Sequence, residues 1–456
     1  MIYNNTLELI GKTPIVEIKS FQTNNSRIFV KLENQNPGGS IKDRIGLSMI
    51  EVAEKEGKIK PGDTLIEATA GNTGLGLALV AARKGYKLIL VIPDKMSQEK
   101  ISHLRAMGAE IRMTRSDVEI GHPEYYQDYA LRLSQEIPNS FYVNQFNNPA
   151  NPLAHETTTG PEIWEQMDKD VDAIVVGVGS AGTICGLTNY FKKVKPEIEI
   201  ILADPFGSIL KDYFYTKNIG QAGSWYVEGI GEDFVPLQCD FSLVKSAYTI
   251  TDKEAFTTAR ELLLKEGILA GSSTGVLVSA ALKYAKEQTK PKKIVTFACD
   301  SGNKYLSKMF NDYWMIDNGF IERPKHNNLL DFISRENNAN SVITIGPTDT
   351  ILQAYSKMKL YDISQIPVVV HKKVIGIIDE YDILVALENE NEKHFKKHVC
   401  DCMSSNIETL NPDDSIDDLV KFLKKGFAAI IADEDNFYGI ITKIDYINYL
   451  KRKIQK

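Results

Sequence analysis

Over the first two thirds of the chain, short apolar runs alternate with stretches whose apolar residues recur at helical spacing. Ile28-Phe29-Val30-Lys31-Leu32, Leu65-Ile66-Glu67 and Leu88-Ile89-Leu90-Val91-Ile92 read as strands. So do residues 172–178, 198–203 and 293–297. Residues 43–56 and 74–84 read as helices, the first stopped by Gly57. Strands alternating with helices predict an α/β fold, a mostly parallel sheet covered on both faces. Such sheets bind ligands beyond the carboxyl ends of their strands.

The pattern changes after Trp314. Arg323-Pro324-Lys325, Asn327-Asn328 and Glu336-Asn337-Asn338-Ala339-Asn340 show no sustained apolar period and read as a linker with one helical turn. Beyond it the chain repeats itself. Thr344-Ile345-Gly346-Pro347-Thr348-Asp349-Thr350-Ile351 matches Thr409-Leu410-Asn411-Pro412-Asp413-Asp414-Ser415-Ile416. Val374-Ile375-Gly376-Ile377-Ile378-Asp379 through Ile383 matches Phe437-Tyr438-Gly439-Ile440-Ile441-Thr442 through Tyr446. Two units are too few for a solenoid and predict a duplicated small α/β module. The expected division is a large domain over 1–320, a linker over 321–338, and modules over 339–397 and 398–456.

Composition narrows the class. The chain has 456 residues, 43% hydrophobic and 25% charged, which suits a globular protein and excludes wholesale disorder. Its net charge of −7 lacks the basic footprint of a nucleic-acid binder. Five scattered cysteines make no disulfide framework and point to a reducing compartment. The start, Met1-Ile2-Tyr3-Asn4-Asn5, has no basic segment followed by an apolar one, and no apolar run reaches the ~18 residues of a membrane helix. A cytoplasmic protein with no membrane segment is expected. Seven histidines lie without a close pair at ligand spacing, so no metal is expected. Cys400-Asp401-Cys402 reads as an inert turn and Met403 as core.

The chemistry gathers in three loops. Gly177-Val178-Gly179-Ser180-Ala181-Gly182-Thr183 follows a strand and opens a helix, and the acidic Asp204 ends the next strand. That fits a dinucleotide fingerprint, and the nicotinamide oxidoreductase it implies stands as an alternative. Converging amides and a helix N-terminus suit a single phosphate equally well. Glu67-Ala68-Thr69-Ala70-Gly71-Asn72-Thr73-Gly74 repeats the strand-to-helix design and suits a carboxylate, and Ala270-Gly271-Ser272-Ser273-Thr274-Gly275 also opens an apolar helix. In Asn36-Pro37-Gly38-Gly39-Ser40-Ile41-Lys42-Asp43-Arg44, a turn leads into a helix that Ser40 can cap. Lys42 there is either a solvated lysine paired with Asp43 or, facing a phosphate loop, an amine placed for Schiff-base chemistry.

These residues resemble a known family. Residues 1–320 are similar to the fold-type II pyridoxal-phosphate enzymes, specifically the cystathionine β-synthases and their O-acetylserine-using relatives. The motifs are Pro37 through Arg44, Gly71-Asn72-Thr73-Gly74, Gly179 through Thr183, Asn151-Pro152-Leu153-Ala154-His155 and Glu228-Gly229-Ile230-Gly231. The tail resembles the paired regulatory CBS modules of that family. The resemblance implies two α/β subdomains, with Lys42 carrying pyridoxal 5'-phosphate as a Schiff base. Asn72 would meet the ring hydroxyl. Gly179, Ser180, Ala181, Gly182 and Thr183 would hold the phosphate, and Ser273 would face the pyridine nitrogen. Thr69, Gly71, Thr73 and Gln145 would hold the substrate carboxylate. A serine at the pyridine nitrogen does not force its protonation, which suits β-replacement better than transamination. Lys42 would move the α-proton. The implied reaction joins serine, O-acetylserine or cysteine to homocysteine, giving cystathionine, and releases hydrogen sulfide when cysteine is used. A cysteine synthase using sulfide is the nearer alternative.

Departures from the family matter too. No cysteine precedes Cys185, so no haem is expected. Ala70 stands where many members have serine, and Glu232 replaces a tyrosine of animal enzymes, which leaves the leaving group and the acceptor open. In the tail, Thr442 and Asp445 match a phosphate- and ribose-binding signature, for S-adenosylmethionine first and an adenine nucleotide second. Asp379 replaces that threonine in the first module. A homodimer or higher oligomer and small amino-acid substrates are the expected partners.

Overall fold

The computed structural model describes residues 2–69, 71–94, 98–118, 121–322, 325–333, 342–387, 395–426 and 428–454. The chain forms two compact units, Met1–Phe310 and Asn311–Lys456.

The first unit holds two sheets. The strands in chain order are β1 (Ile15–Ile18), β2 (Arg27–Lys31), β3 (Thr64–Ala68), β4 (Lys87–Pro93), β5 (Glu110–Thr114), β6 (Ser140–Tyr142), β7 (Ala173–Val176), β8 (Glu199–Pro205), β9 (Val244–Ile250) and β10 (Lys293–Phe297). One sheet runs β1-β2-β10-β7-β8-β9 and the other β5-β4-β3-β6. All pairs are parallel except β1 with β2. The mostly parallel sheet is therefore as expected. The strands β1, β5 and β9 escape a reading by apolar runs because polar residues interrupt them, and β6 because it is only three residues long. Central strands are buried on both faces, as Ala173–Val176 is throughout, which is why they read as continuous apolar runs.

Four helices carry the loops of interest: α1 (Lys42–Lys55), α2 (Asn72–Lys84), α3 (Gly182–Val194) and α4 (Ser272–Glu287). Helices α1 and α2 cross at Gly46 and Gly76. A Cβ on Gly76 would lie 2.8 Å from the Lys42 carbonyl oxygen, and one on Gly46 would lie 2.9 Å from the Gly76 carbonyl carbon. Only glycine lets these two helix starts approach so closely.

The second unit contains both repeats. One gives a helix, Ile351–Tyr361, and an antiparallel pair, Gln365–Val370 with Lys373–Asp379. The other gives a helix, Ile416–Lys424, and the sheet of Thr409–Leu410, Ala429–Ala432 and Phe437–Ile441. The segment read as linker contributes to this unit's packing: Leu329, Phe332 and Ile333 are buried beside Leu419, Leu423 and Ile441. Met403 packs on the core of the first repeat, as expected. Among the described residues no helix is long and apolar enough to cross a membrane.

Candidate active site

The loops that leave β2, β3, β7 and β10 at their carboxyl ends meet around one cavity of about 260 Å3. Lys42, Thr69, Gly71, Asn72, Thr73, Gln145, Gly179, Ser180, Ala181, Gly182, Thr183 and Ser273 all line it. The fold thus brings together every residue singled out in the three loops, Lys42 and Gln145, although they span most of the first unit. Ala70, the departure noted above, lies outside the described residues.

Lys42 opens α1, and its backbone N–H donates to Ser40 Oγ at 3.2 Å. The solvated-pair reading of this lysine is wrong. Asp43 turns away, accepting the Gly38 N–H at 2.5 Å, and burial pushes its carboxyl up to about 7. Lys42 Nζ instead reaches Ser180 Oγ at 3.4 Å, on the phosphate-type loop. Desolvation lowers its pKa, opposed by the neighbouring Cys299 and Glu232. A desolvated amine is unprotonated more often at neutral pH, which a nucleophile or base requires.

The phosphate-type loop is built by close approach. A Cβ on Gly179 would lie 2.7 Å from the Gly229 carbonyl oxygen, and one on Gly182 would collide with Asn151 Oδ1. Asn151 Nδ2 donates to Ser180 Oγ at 3.0 Å and to the Gln145 carbonyl at 2.8 Å. His155 joins Thr183 Oγ1 to Thr159 Oγ1, at 3.3 Å and 2.9 Å, and its burial holds the pKa well below the usual value. Asn151 and His155 belong to a motif recognised in the sequence, but spacing alone does not place them behind this loop. Ala181 takes φ of 63°, a left-handed conformation that costs an alanine roughly 1 kcal/mol. Ala181→Gly is expected to stabilise the cofactor-free chain by about that amount, read from urea unfolding; a destabilisation would show that the methyl group packs usefully.

Asp204 settles the fingerprint question. Its carboxylate accepts the Lys211 N–H at 2.9 Å and is buried, so it serves the backbone rather than a ribose. The nicotinamide reading is corrected accordingly, since Lys42 and the other loops converge on the same cavity.

Behind the carboxylate-type loop sits Glu67, which is 0% exposed. It accepts from Gln145 N and Nε2, both at 3.4 Å, while Thr73 Oγ1 donates to Gln145 Oε1 at 2.7 Å. Burial pushes Glu67 and Glu232 up to about 8. Carboxyls raised by folding hold protons that the unfolded chain has released, so their stabilisation is complete below about pH 4.5 and lost as pH rises through 7 to 8. The melting temperature of the cofactor-free chain is expected to fall between pH 5 and 8.5, and Glu67→Gln to flatten that slope. An unchanged slope in the variant contradicts the assignment.

In the second unit, Asp445 Oδ2 accepts from both Thr442 N, at 2.7 Å, and Thr442 Oγ1, at 2.5 Å. The pair caps the helix Lys443–Ile454. In the first repeat, Asp379 and Asp382 exchange backbone-to-carboxylate bonds at 3.0 Å and 2.8 Å. Cys400 and Asp401 lie in a single short turn. Among the described residues no group of three or more His, Cys, Asp or Glu is placed to hold a metal ion.

Comparison with known proteins bears on the same residues. The family model for pyridoxal-phosphate dependent enzymes matches residues 6–300, and that for the CBS domain matches 338–389 and 399–452. Cystathionine beta-synthase of Dictyostelium discoideum is 38% identical over 479 residues, covering 100% of this chain and 94% of its own. A hydrogen sulfide-producing enzyme from Fusobacterium nucleatum superposes with a TM-score of 0.62 at 41% identity, covering 67% of this chain and 100% of its own. The O-acetylserine dependent cystathionine beta-synthase from Helicobacter pylori superposes with a TM-score of 0.62 at 38% identity, covering 68% and 98%. The class so defined is a fold-type II pyridoxal-phosphate enzyme carrying a pair of CBS domains. The chain belongs to the cystathionine β-synthase family.

Proposed function

We propose that this enzyme joins serine, O-acetylserine or cysteine to homocysteine, giving cystathionine, and releases hydrogen sulfide when cysteine is the first substrate. One observation carries the reading: Lys42 Nζ, desolvated, faces the glycine loop of α3 within a cavity that also holds the Thr69–Thr73 loop and Ser273. The names of the two superposed enzymes, one producing sulfide and one using O-acetylserine, support both modes.

The donor set fits pyridoxal phosphate. The glycine loop, closed to any side chain at Gly179 and Gly182, offers amides and hydroxyls to the phosphate, Asn72 serves the ring hydroxyl and Ser273 the pyridine nitrogen. Bound there, the cofactor supplies an electron sink for charge at the substrate α-carbon. Thr69, Gly71, Thr73 and Gln145 hold the substrate carboxylate and so fix the α-carbon's orientation. The Lys42 amine takes the α-proton as the β-substituent leaves, and returns it after the thiol has added. We further propose the division at 1–320, 321–338, 339–397 and 398–456, a cytoplasmic homodimer, and an adenosyl ligand, S-adenosylmethionine first, at Thr442 and Asp445.

Two measurements test the reading. Borohydride reduction and peptide mapping should place a pyridoxyl group on Lys42; label elsewhere, or none, defeats it. Turnover should then be compared for serine, O-acetylserine and cysteine, each with homocysteine or sulfide. If sulfide is preferred over homocysteine with every donor, the chain is a cysteine synthase and only the cofactor reading survives.

A further inference from the structure

Asn72, the residue read above as partner of the ring hydroxyl, has both ends of its side-chain amide held from one neighbouring segment. Lys304 Nζ donates to Asn72 Oδ1 at 2.6 Å, and Asn72 Nδ2 donates to Asp300 Oδ2 at 2.9 Å. These contacts give the amide one orientation. An ammonium only donates and a carboxylate only accepts, so turning the amide over would set donor against donor and acceptor against acceptor. One Nδ2 hydrogen is spent on Asp300 and one remains.

The clamp is itself braced. Asp300 is 1% exposed, and its Oδ2 also accepts from Tyr305 Oη at 2.8 Å. Lys304 sits in the short turn Gly302–Tyr305 and makes a second bond, to the Gly39 carbonyl, at 3.4 Å. Both of its hydrogen-bond acceptors are uncharged amide oxygens. A largely desolvated cation, its pKa lowered by burial against the attraction of Asp300 and Asp43, thus spends both of these hydrogen bonds on amide oxygens rather than on those carboxylates. Coulombic attraction alone does not require that arrangement, whereas orienting Asn72 does. Gly39 and Asn72 flank Lys42 in the two loops that Lys304 joins.

We propose that Lys304 and Asp300 are positioning residues that hold the Asn72 carboxamide with a free N–H for the ring hydroxyl of the cofactor. The proposal rests on the reading of Asn72 given above. A donor at that oxygen favours its deprotonated form, whereas an amide oxygen turned toward it favours the protonated one. The clamp therefore sets which protonation form of the bound cofactor prevails.

The test uses the holoenzyme. Lys304 borders a second cavity of about 770 Å3, so truncation there leaves space rather than a collapsed core. Lys304→Met should shift the balance of the two absorption bands of the cofactor on Lys42 toward the form protonated on the ring oxygen. It should also lower kcat on the order of tenfold, as loss of one oriented hydrogen bond implies, with KM for the amino-acid donor nearly unchanged. Lys304→Arg, which keeps a donor, should restore the bands. Asn72→Ala should shift them as Lys304→Met does, and combining the two should add little. If Asn72→Ala shifts the bands and Lys304→Met does not, the clamp is overturned while the reading of Asn72 stands. If Asn72→Ala leaves the bands unmoved, the reading of Asn72 fails and takes the clamp with it. A thermal melt of each variant confirms that the comparison is between folded proteins.

Discussion

Lys42→Ala is expected to lower kcat by at least about 1,000-fold with every donor and acceptor pair, because general acid–base catalysis alone is worth about 10²–10⁴ and covalent attachment is lost with it. The amine is held where it can act by three features of this chain. Helix α1 begins at Lys42 itself, so the side chain issues from a rigid element. Asp43 is engaged with Gly38 and does not neutralise it. Nζ reaches the Ser180 hydroxyl at 3.4 Å, a weak partner that leaves the amine available. Lys42→Arg should fare no better, since a guanidinium stays protonated and is no nucleophile. Steady-state rates, together with loss of borohydride labelling on the same peptide, check the expectation. A loss of less than tenfold would remove Lys42 from the chemistry.

Arg44→Met is expected to destabilise the chain by about 3–5 kcal/mol, the usual cost of leaving a buried charge without its partner. Arg44 bonds both oxygens of Glu33, at 2.7 Å and 2.8 Å, and both of Glu162, at 2.7 Å and 2.8 Å. Lys31 adds a further bridge to Glu162 at 2.8 Å. For Glu33, burial alone would raise the pKa, but Arg44, with Lys31 and the Thr13 hydroxyl, outweighs it and the net shift is downward. Glu162 is held at about 2, Arg44 and Lys31 together outweighing its burial. The network ties the first turn of α1 to β2 and to the segment holding Glu162. Its loss should therefore loosen Lys42 two residues away as well as lower stability. Urea unfolding of the cofactor-free chain measures the first effect. Arg44→Met with Glu33→Gln should recover part of the loss, because the stranded carboxylate is then gone. A loss below about 1 kcal/mol would show that water or rearrangement satisfies Glu33.

Much of the site was legible before the fold. The loops at Lys42, Asn72 and Gly179 each announce themselves by glycines and hydroxyls between a strand and a helix, and that at Ser273 by the same residue types ahead of a helix, because backbone amides converge only where side chains are absent. Their residues line one cavity. The supports behind them were not legible. Glu67 looked like a strand residue and Asn151 and His155 like members of a motif without a role, and nothing in the sequence singled out Lys304. Each acts through a partner far away in the chain, as Lys304 does on Asn72 and Asn151 on Ser180. Strands β1, β5, β6 and β9 were missed for a related reason: their pairing partners, more than their own composition, make them strands.

By itself the sequence determined the α/β class and the duplicated tail and picked out the loop that carries Lys42, because periodicity, repeats and glycine loops at helix starts are properties of neighbouring residues. Only the tertiary structure decided that Asp43 turns from Lys42, that Asp204 serves a backbone N–H, and that Lys304 and Asp300 grip Asn72. Burial and hydrogen-bond partnership are set by residues distant in the chain, and they alone fix the charge and orientation on which the chemistry depends.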